Sequence, residues 1–363
     1  MKIVVDAINI KSEGGLTYLN QFLSNINKNN INEICVLISK KSLITSRHKK
    51  IKIIDNKIFN QNFIKTNIWK ILYLNKFLRK INCQKLIVMS GHYMGFFNPT
   101  FLVIQNALPF SNETRKYFPF VLNAKFYLQK ISHLISIKMN NNIIFVSHSI
   151  KKKVLKNFST KKNYIVSCNA VTDKIIERKK RKKIKKSILK LIYVSQYANH
   201  KNHIKLLDAI KTINKNRIQV TLDCYGQDLD DNLVKFKKFI KLNNIKGIKL
   251  KKSIDQNNLF KIYRKYDCHI FPSYCESFGL PLLESARAGL LILCSNLGVF
   301  HEILKDSPVY FNQNSKRDIR SSILKIVDMS NLQFYKKINK SIIYSNMYKW
   351  KPEVKKVKEF MLS

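Results

Sequence analysis

Short apolar runs rich in β-branched residues alternate with longer amphipathic segments from one end of the chain to the other. In the first half the strand candidates are Ile3–Ala7, Ile34–Ser39, Ile51–Ile54, Leu86–Ser90, Phe101–Gln105, Ile143–Ser147 and Tyr164–Cys168. In the second half they are Leu191–Ser195, Gln219–Tyr225, Ile248–Leu250, Cys268–Pro272 and Leu290–Cys294. Several are continuous apolar runs without in–out alternation, the pattern of parallel strands covered on both faces. Between them, Leu16, Leu19, Phe22, Leu23 and Ile26 recur at helical spacing, as do Leu206, Leu207 and Ile210. This alternation predicts a doubly wound, parallel α/β architecture. The uncharged stretch Leu86–Phe110 is broken by Gly91, His92, Gly95, Asn98 and Pro99, so it reads as two buried strands joined by a loop and not as a membrane span.

The rhythm is interrupted once. Thr172–Lys190 carries nine cations within Arg178–Lys190 and reads as an exposed basic linker, after which Leu191–Ser195 restarts the strand–helix order. The predicted organisation is an N-terminal α/β domain over 1–171, the linker 172–190, a C-terminal α/β domain over 191–340 and a final helix within 341–363. A chain of 363 residues suits two domains of about 150–200 residues each. Ligands of such sheets sit in the crevice beyond the carboxyl ends of the strands.

Composition narrows the class. With 45% hydrophobic residues and only 9 Gly and 7 Pro, the chain is neither disordered nor fibrous. The 7 Cys are scattered with no CxxC pair, which excludes a disulfide framework or zinc ribbon and fits a reducing compartment. Lys and Arg outnumber Asp and Glu by 67 to 22, a net charge of +45. That charge invites a nucleic-acid reading. The cations are mostly Lys, however, spread along the chain together with abundant Asn and Ile, so they read as a solvated surface bias. Anionic lipid and anionic substrates stay open as partners. The segment Asn62–Ile81 sets Phe63, Ile64, Ile68, Trp69, Ile71, Leu72, Phe77 and Leu78 among Lys65, Lys70, Lys76, Arg79 and Lys80. It predicts a basic amphipathic helix that either packs on the N-terminal sheet or lies on an anionic membrane surface. The opening MKIVVDAINIKSEGG lacks the apolar length of an export signal, so a cytoplasmic or peripheral location is expected.

The most informative segment is Phe271–Gly289, FPSYCESFGLPLLESARAG. A strand ends near Pro272, a loop follows, and Gly279 permits unusual backbone angles there. Pro281 sits where a first helical residue is favoured, and a helix is predicted over Leu282–Ala288 with Gly289 as its C-terminal cap. The free amides at that helix start, aided by the helix dipole, form an anion site suited to a diphosphate. Glu276 on the loop and Glu284 in the helix can each accept paired hydrogen bonds from vicinal hydroxyls, such as those of ribose or hexose. Taken alone, the same two acids are also what a surface loop and a solvated first helical turn display.

The whole string resembles the E-x7-E signature of the family-four retaining glycosyltransferases of GT-B fold: Glu276, then Phe278-Gly279-Leu280-Pro281, then Glu284 before Ala286-Arg287-Ala288-Gly289. Gly14-Gly15 resembles that family's glycine loop after the first strand. Asn169-Ala170-Val171 resembles the close of its N-terminal domain, and Ser195–Asn202 its phosphate-binding stretch. Tyr225-Gly226, His301-Glu302 and Phe311 follow at family-like distances.

The resemblance implies two doubly wound domains facing across a cleft, with a final helix packing back on the N-terminal domain. It also implies transfer of a sugar from a UDP- or GDP-linked donor, with retention, to a glycan or lipid-linked acceptor in surface polysaccharide or lipopolysaccharide assembly. In that scheme Glu276 contacts the transferred sugar and Glu284 the donor ribose. The amides of Phe278, Gly279 and Leu280 bind sugar and diphosphate, Gly14 and Gly15 approach donor and acceptor, and Lys201 neutralises the departing diphosphate. No cofactor and no metal are expected. Two positions depart from the family's habit: Gln196 stands where an Arg often adds a diphosphate contact, and Gln105-Asn106 replaces a strand-end His-Asp or His-Glu, leaving Asn106 as a substitute contact. His92, after the fourth strand, and His200, beside Lys201, are further candidates for the cleft. The alternatives are a nucleic-acid-binding protein on a degenerate GT-B scaffold and a GT-B epimerase or phosphorylase.

Overall fold

A computed structural model describes residues 1–10, 13–27, 29–61, 63–158, 162–172, 188–213, 218–228 and 231–363. Of the predicted linker 172–190, residues 173–187 lie outside the described residues. The chain divides into two compact units. One comprises residues 1–112, 120–170 and 349–363, and the other residues 113–119 and 171–348.

Among the described residues the N-terminal unit is built on seven parallel strands: β1 (Lys2–Asp6), β2 (Glu33–Leu37), β3 (Ile51–Ile54), β4 (Lys85–Val88), β5 (Thr100–Ile104), β6 (Asn142–Phe145) and β7 (Asn163–Val166). Their order in the sheet is β3-β2-β1-β4-β5-β6-β7. The helices are α1 (Glu13–Asn25), α2 (Phe63–Trp69), which runs through a π-helical turn at Lys70–Leu74 into α3 (Asn75–Lys80), α4 (Phe120–Met139) and α5 (His148–Leu155). The central strands are buried along nearly their whole length, and every residue of β5 is. That is why they read as unbroken apolar runs.

The second unit repeats the plan with β8 (Ile188–Val194), β9 (Gln219–Tyr225), β10 (Ile248–Lys251), β11 (Cys268–Phe271), β12 (Leu291–Ser295) and β13 (Val309–Phe311). All pair in parallel in the order β10-β9-β8-β11-β12-β13, a doubly wound sheet. Its helices are α6 (His203–Ile213), α7 (Asn232–Leu242), α8 (Gln256–Tyr263), α9 (Leu280–Arg287), α10 (Gly298–Leu304), α11 (Lys316–Val327) and α12 (Asn331–Asn346). A last helix, α13 (Trp350–Leu362), belongs to the N-terminal unit. There the Trp350 ring meets Tyr18 edge-on at 5.8 Å, and Glu353 accepts from the Cys168 amide at 2.9 Å.

All twelve predicted strands are present, together with β13, which is only three residues long and carried no periodicity of its own. Four expectations are corrected. Gly14 and Gly15 lie in the first turn of α1 and not in a loop, because the helix already begins at Glu13. The predicted final helix over 341–363 is two helices: α12 stays with the second unit, and the chain re-enters the N-terminal unit at Lys349. Residues 113–119, placed by sequence in the first domain, belong to the second unit, where Tyr117 stacks flat on Tyr274 at 3.7 Å. Finally, α9 starts at Leu280, with Pro281 second.

Candidate active site

In the second sheet, β8 and β11 are neighbours from which successive strands run to opposite edges. The loops leaving their carboxyl ends therefore meet at the topological switch point, where open α/β sheets hold ligands. Ser195–Asn202 leaves β8 and Pro272–Gly279 leaves β11. Lys201 closes a single 3-10 turn, and its carbonyl accepts from the Tyr193 hydroxyl at 2.6 Å. Asn202 follows in the left-handed region (φ 60°), and its side-chain amide donates to Pro272 O at 3.0 Å and Gln313 O at 2.9 Å. The Tyr274 amide donates back to His200 O at 2.8 Å. Laced together in this way, the loops bring Lys201 Nζ to 2.6 Å from Glu276 Oε1, with the two side chains 13% and 11% exposed.

The start of α9 is shaped by Gly279, whose φ of 108° favours glycine and whose carbonyl accepts from the Leu282 amide at 3.0 Å. Among the described residues, the amides of Phe278, Gly279 and Leu280 donate to no protein acceptor. Unused donors at a helix N-terminus attract anions. Glu284 sits in α9 and is buried. Burial, with the Glu284 carboxylate adding to it, holds the Tyr263 phenol well above its ordinary pKa.

Support for this arrangement comes from residues the sequence reading did not single out. His269, buried in β11, is pushed down to a pKa of about 3 by burial and is neutral. Its Nε2 accepts from the Val194 amide at 3.3 Å, so the proton is on Nδ1, which donates to Ser285 Oγ at 2.7 Å. One ring thus ties the end of β8 to α9. At the other end of α9, Arg287 donates to the carbonyls of Val171, Thr172, Ser345 and Tyr348. A Cβ on Gly226 would lie 1.8 Å from Ser195 O, so only glycine lets the end of β9 pass the β8 loop. No motif announces His269, whereas Arg287 and Gly226 lie within the strings Ala286-Arg287-Ala288-Gly289 and Tyr225-Gly226, which assign neither of them a role.

The remaining predicted residues are placed as follows. Gln196 is half-buried on the β8 loop. His200 is held neutral, its pKa pushed well below the ordinary value by burial and then by Lys201. The others lie in the N-terminal unit, whose own switch point falls between β1 and β4. Gly15 is buried and Gly14 exposed. His92 is buried, accepts from the Asn9 side-chain amide at 3.2 Å and bonds Ser90 O at 3.1 Å; burial and then Lys70 depress its pKa. Asn106 uses its side-chain oxygen to accept from the Leu108 amide at 3.0 Å, and Gln105 donates to Met89 O at 3.0 Å. Both side chains hold the turn after β5.

Comparison with known proteins follows the same outline. Residues 174–342 match the family Glycosyl transferases group 1. The chain is 22% identical over 250 residues to the O-antigen chain mannosyltransferase RfbU of Salmonella typhimurium, covering 69% of this chain and 67% of that protein. It is 29% identical over 248 residues to the uncharacterized glycosyltransferase MJ1069 of Methanocaldococcus jannaschii, covering 64% of this chain and 61% of that one. The crystal structure of Alr3699/HepE from Anabaena in complex with UDP and glucose superposes with a TM-score of 0.74 at 12% identity, over 99% of this chain and 98% of that one. At such identity the superposition shows the shared fold alone.

Proposed function

We propose, from the match of residues 174–342 to the family Glycosyl transferases group 1 and from the GT-B fold of the chain, that the protein is a retaining glycosyltransferase using a nucleoside-diphosphate sugar. The observation that carries the reading is the Lys201–Glu276 pair at the switch point, 2.6 Å apart beside a helix start with unused amides. An ammonium and three amides match a diphosphate, and a carboxylate next to them matches the hydroxyls of the attached sugar. UDP or GDP is the proposed leaving group, and HepE, of the same fold, has been solved with UDP.

As the glycosyl–oxygen bond lengthens, negative charge builds on the diphosphate, and Lys201 stabilises it more than it stabilises the ground state. Glu276 holds sugar hydroxyls and Glu284 the ribose diol. The departing phosphate oxygen takes the acceptor's proton on the same face of the sugar, which gives retention without a second protein carboxylate as nucleophile. In this reading Lys201 supplies the cationic charge and no metal is required. The acceptor is proposed to be a glycan or lipid-linked glycan of surface polysaccharide assembly, the class to which the O-antigen enzyme RfbU belongs by name. The proposed location is cytoplasmic, peripheral to the membrane; among the described residues no helix is long and apolar enough to cross one.

The test is thermal stabilisation by UDP and by GDP, with and without EDTA, followed by turnover of a panel of nucleotide sugars. Stabilisation by one nucleotide that survives EDTA and is lost in Glu284→Ala is expected. Absence of stabilisation by either nucleotide overturns the reading.

A further inference from the structure

The second unit holds a cavity of about 720 Å³ lined by α6, α7 and the start of α11, within the roughly 300–1,000 Å³ of small-molecule sites. All of its lining residues belong to that unit, and neither Lys201, Glu276 nor any residue of α9 is among them. It is a different place from the donor site, although Asn202 and Tyr274, which tie the loops of Lys201 and Glu276 together, line it as well.

The lining combines rings with cations. Tyr117 and Tyr274, stacked at 3.7 Å, line the cavity from the loops, and Phe236 and Phe239 line it from α7. Lys205 of α6, Lys235 and Lys238 of α7 and Lys316 of α11 join them, against a single acid, Asp208. That acid is taken up by Lys316 at 2.9 Å. Among the described residues Lys205, Lys235 and Lys238 form no ion pair. Lys205 is half-buried and donates to Asn314 O at 2.8 Å; burial, then the neighbouring Lys116, pushes its pKa down. An ammonium in that position is stabilised by any anion that enters beside it. His203, 2% exposed, also lines the cavity, and its Nδ1 has no hydrogen-bond partner among the described residues.

We propose that this cavity binds a sugar carrying a phosphate, either free or at the end of a glycan. The aromatic side chains cover the C–H surface of a sugar ring, Asp208 and His203 meet its hydroxyls, and the lysines hold the phosphate as point charges. A phosphate group brings about two charges and three acceptor oxygens, so it answers several ammonium groups at once, where a carboxylate answers fewer. The site goes beyond the donor reading above and does not depend on it.

The full chain is titrated calorimetrically with glucose 6-phosphate, glucose, inorganic phosphate and 6-phosphomaltotriose. Glucose 6-phosphate should bind at least about tenfold more tightly than glucose or inorganic phosphate, since each of those offers only half of the match. Tighter binding of the trisaccharide would identify the end of a glycan as the form taken, and equal or weaker binding the free sugar phosphate; both bear the site out. Lys235→Glu and Lys238→Glu, at exposed positions, should each weaken glucose 6-phosphate binding by roughly tenfold while melting as the parent does and keeping any stabilisation by UDP. Lys237→Glu, exposed on the same helix but outside the lining, should change it little, which separates the site from the general positive charge of the chain. Saturating UDP should not displace the sugar phosphate. The proposal is overturned by no binding of glucose 6-phosphate, by equal binding of glucose or inorganic phosphate, by unaltered affinity in the Lys235 and Lys238 variants, by an equal loss in Lys237→Glu, or by competition with UDP.

Discussion

Lys201 and Glu276 are 75 residues apart in sequence and in direct contact through an ion pair of 2.6 Å. Neither loop could hold its charge in that position alone, since Asn202 and Tyr274 tie the two together. If Lys201 acts on charge that develops during bond cleavage, Lys201→Ala should lower turnover by about 10²–10³-fold while changing nucleotide affinity far less. Glu276→Gln should also fall steeply. The double variant should be little worse than the worse single one, because each change removes the same coupled unit. Steady-state kinetics on the four proteins decide it; strictly multiplicative losses would contradict a joint role.

Glu284 should behave differently. It is buried in α9 and is assigned to the ribose, a part of the donor that does not react. Losing one charge-assisted hydrogen-bonded contact of about 1.5–3 kcal/mol predicts a rise in donor KM of roughly ten- to a hundredfold. Turnover at saturation should change much less. A Glu284→Gln variant that lost kcat and kept KM would move this residue to the reacting centre.

The strands were legible because parallel sheets bury both faces, so β5 or β12 is apolar at nearly every position and needs no context to be seen. The ends of α9 were legible within two residues from Gly279, Pro281 and Gly289, whose backbone chemistry is local. What sequence could not show depends on partners far along the chain. His269 looks like any strand residue until Val194 and Ser285 are placed against it. The inward turn of Lys70 has no meaning without Asp6 across the sheet, 64 residues earlier. The glycine pair at 14–15 was misplaced for the opposite reason: glycine suggests a loop, but helix starts tolerate it, and α1 continues through a strong apolar stripe of Leu19, Phe22 and Leu23.

The buried Asp6–Lys70 pair carries its own prediction. Both side chains are almost fully excluded from water, so removing either partner leaves a lone buried charge. Lys70→Ala or Asp6→Ala is expected to cost about 3–5 kcal/mol, whereas a joint Asp6→Asn, Lys70→Met change should cost much less than the sum of its two singles. Chemical denaturation of the four proteins measures this, and additive losses would show that the charges do not depend on each other.

Acid stability should be governed by buried histidines. His203 stacks on Phe236 at 4.8 Å between Tyr193 and Tyr197, and burial, with Lys201 nearby, pushes its pKa down to about 3. Below an unfolded-state value near 6.5 the unfolded chain takes up a proton that the folded chain refuses, so this stability is complete above that pH and is lost as pH falls toward 3. His269 adds to the loss with the same sign. Melting temperature should therefore fall between pH 7 and pH 5. Replacing His203 by Phe removes one proton from that linkage and a buried ring nitrogen, Nδ1, that has no hydrogen-bond partner among the described residues. His203→Phe should thus fall less steeply, and an unchanged slope would show that other groups control the acid limb.

Gly226 makes the sharpest geometric demand on the site. A methyl group there would overlap Ser195 O at 1.8 Å, and the contact is backbone, so no side chain can turn away to relieve it. Gly226→Ala must displace either the end of β9 or the loop that carries Lys201. Displacing β9 would disturb the longest strand pairing in the second sheet, Ile188–Val194 with Gln219–Tyr225. Moving the loop breaks only the β8–β9 exit and the hydrogen bonds around Lys201, so it is the easier path. The variant should fold with a loss of about 1–3 kcal/mol, typical of forced overpacking, and should lose most of its stabilisation by nucleotide. If Gly226→Ala keeps full nucleotide binding with a lowered melting temperature, the strain has gone into the sheet instead, and the position of the β8 loop is held more firmly than its hydrogen bonds suggest.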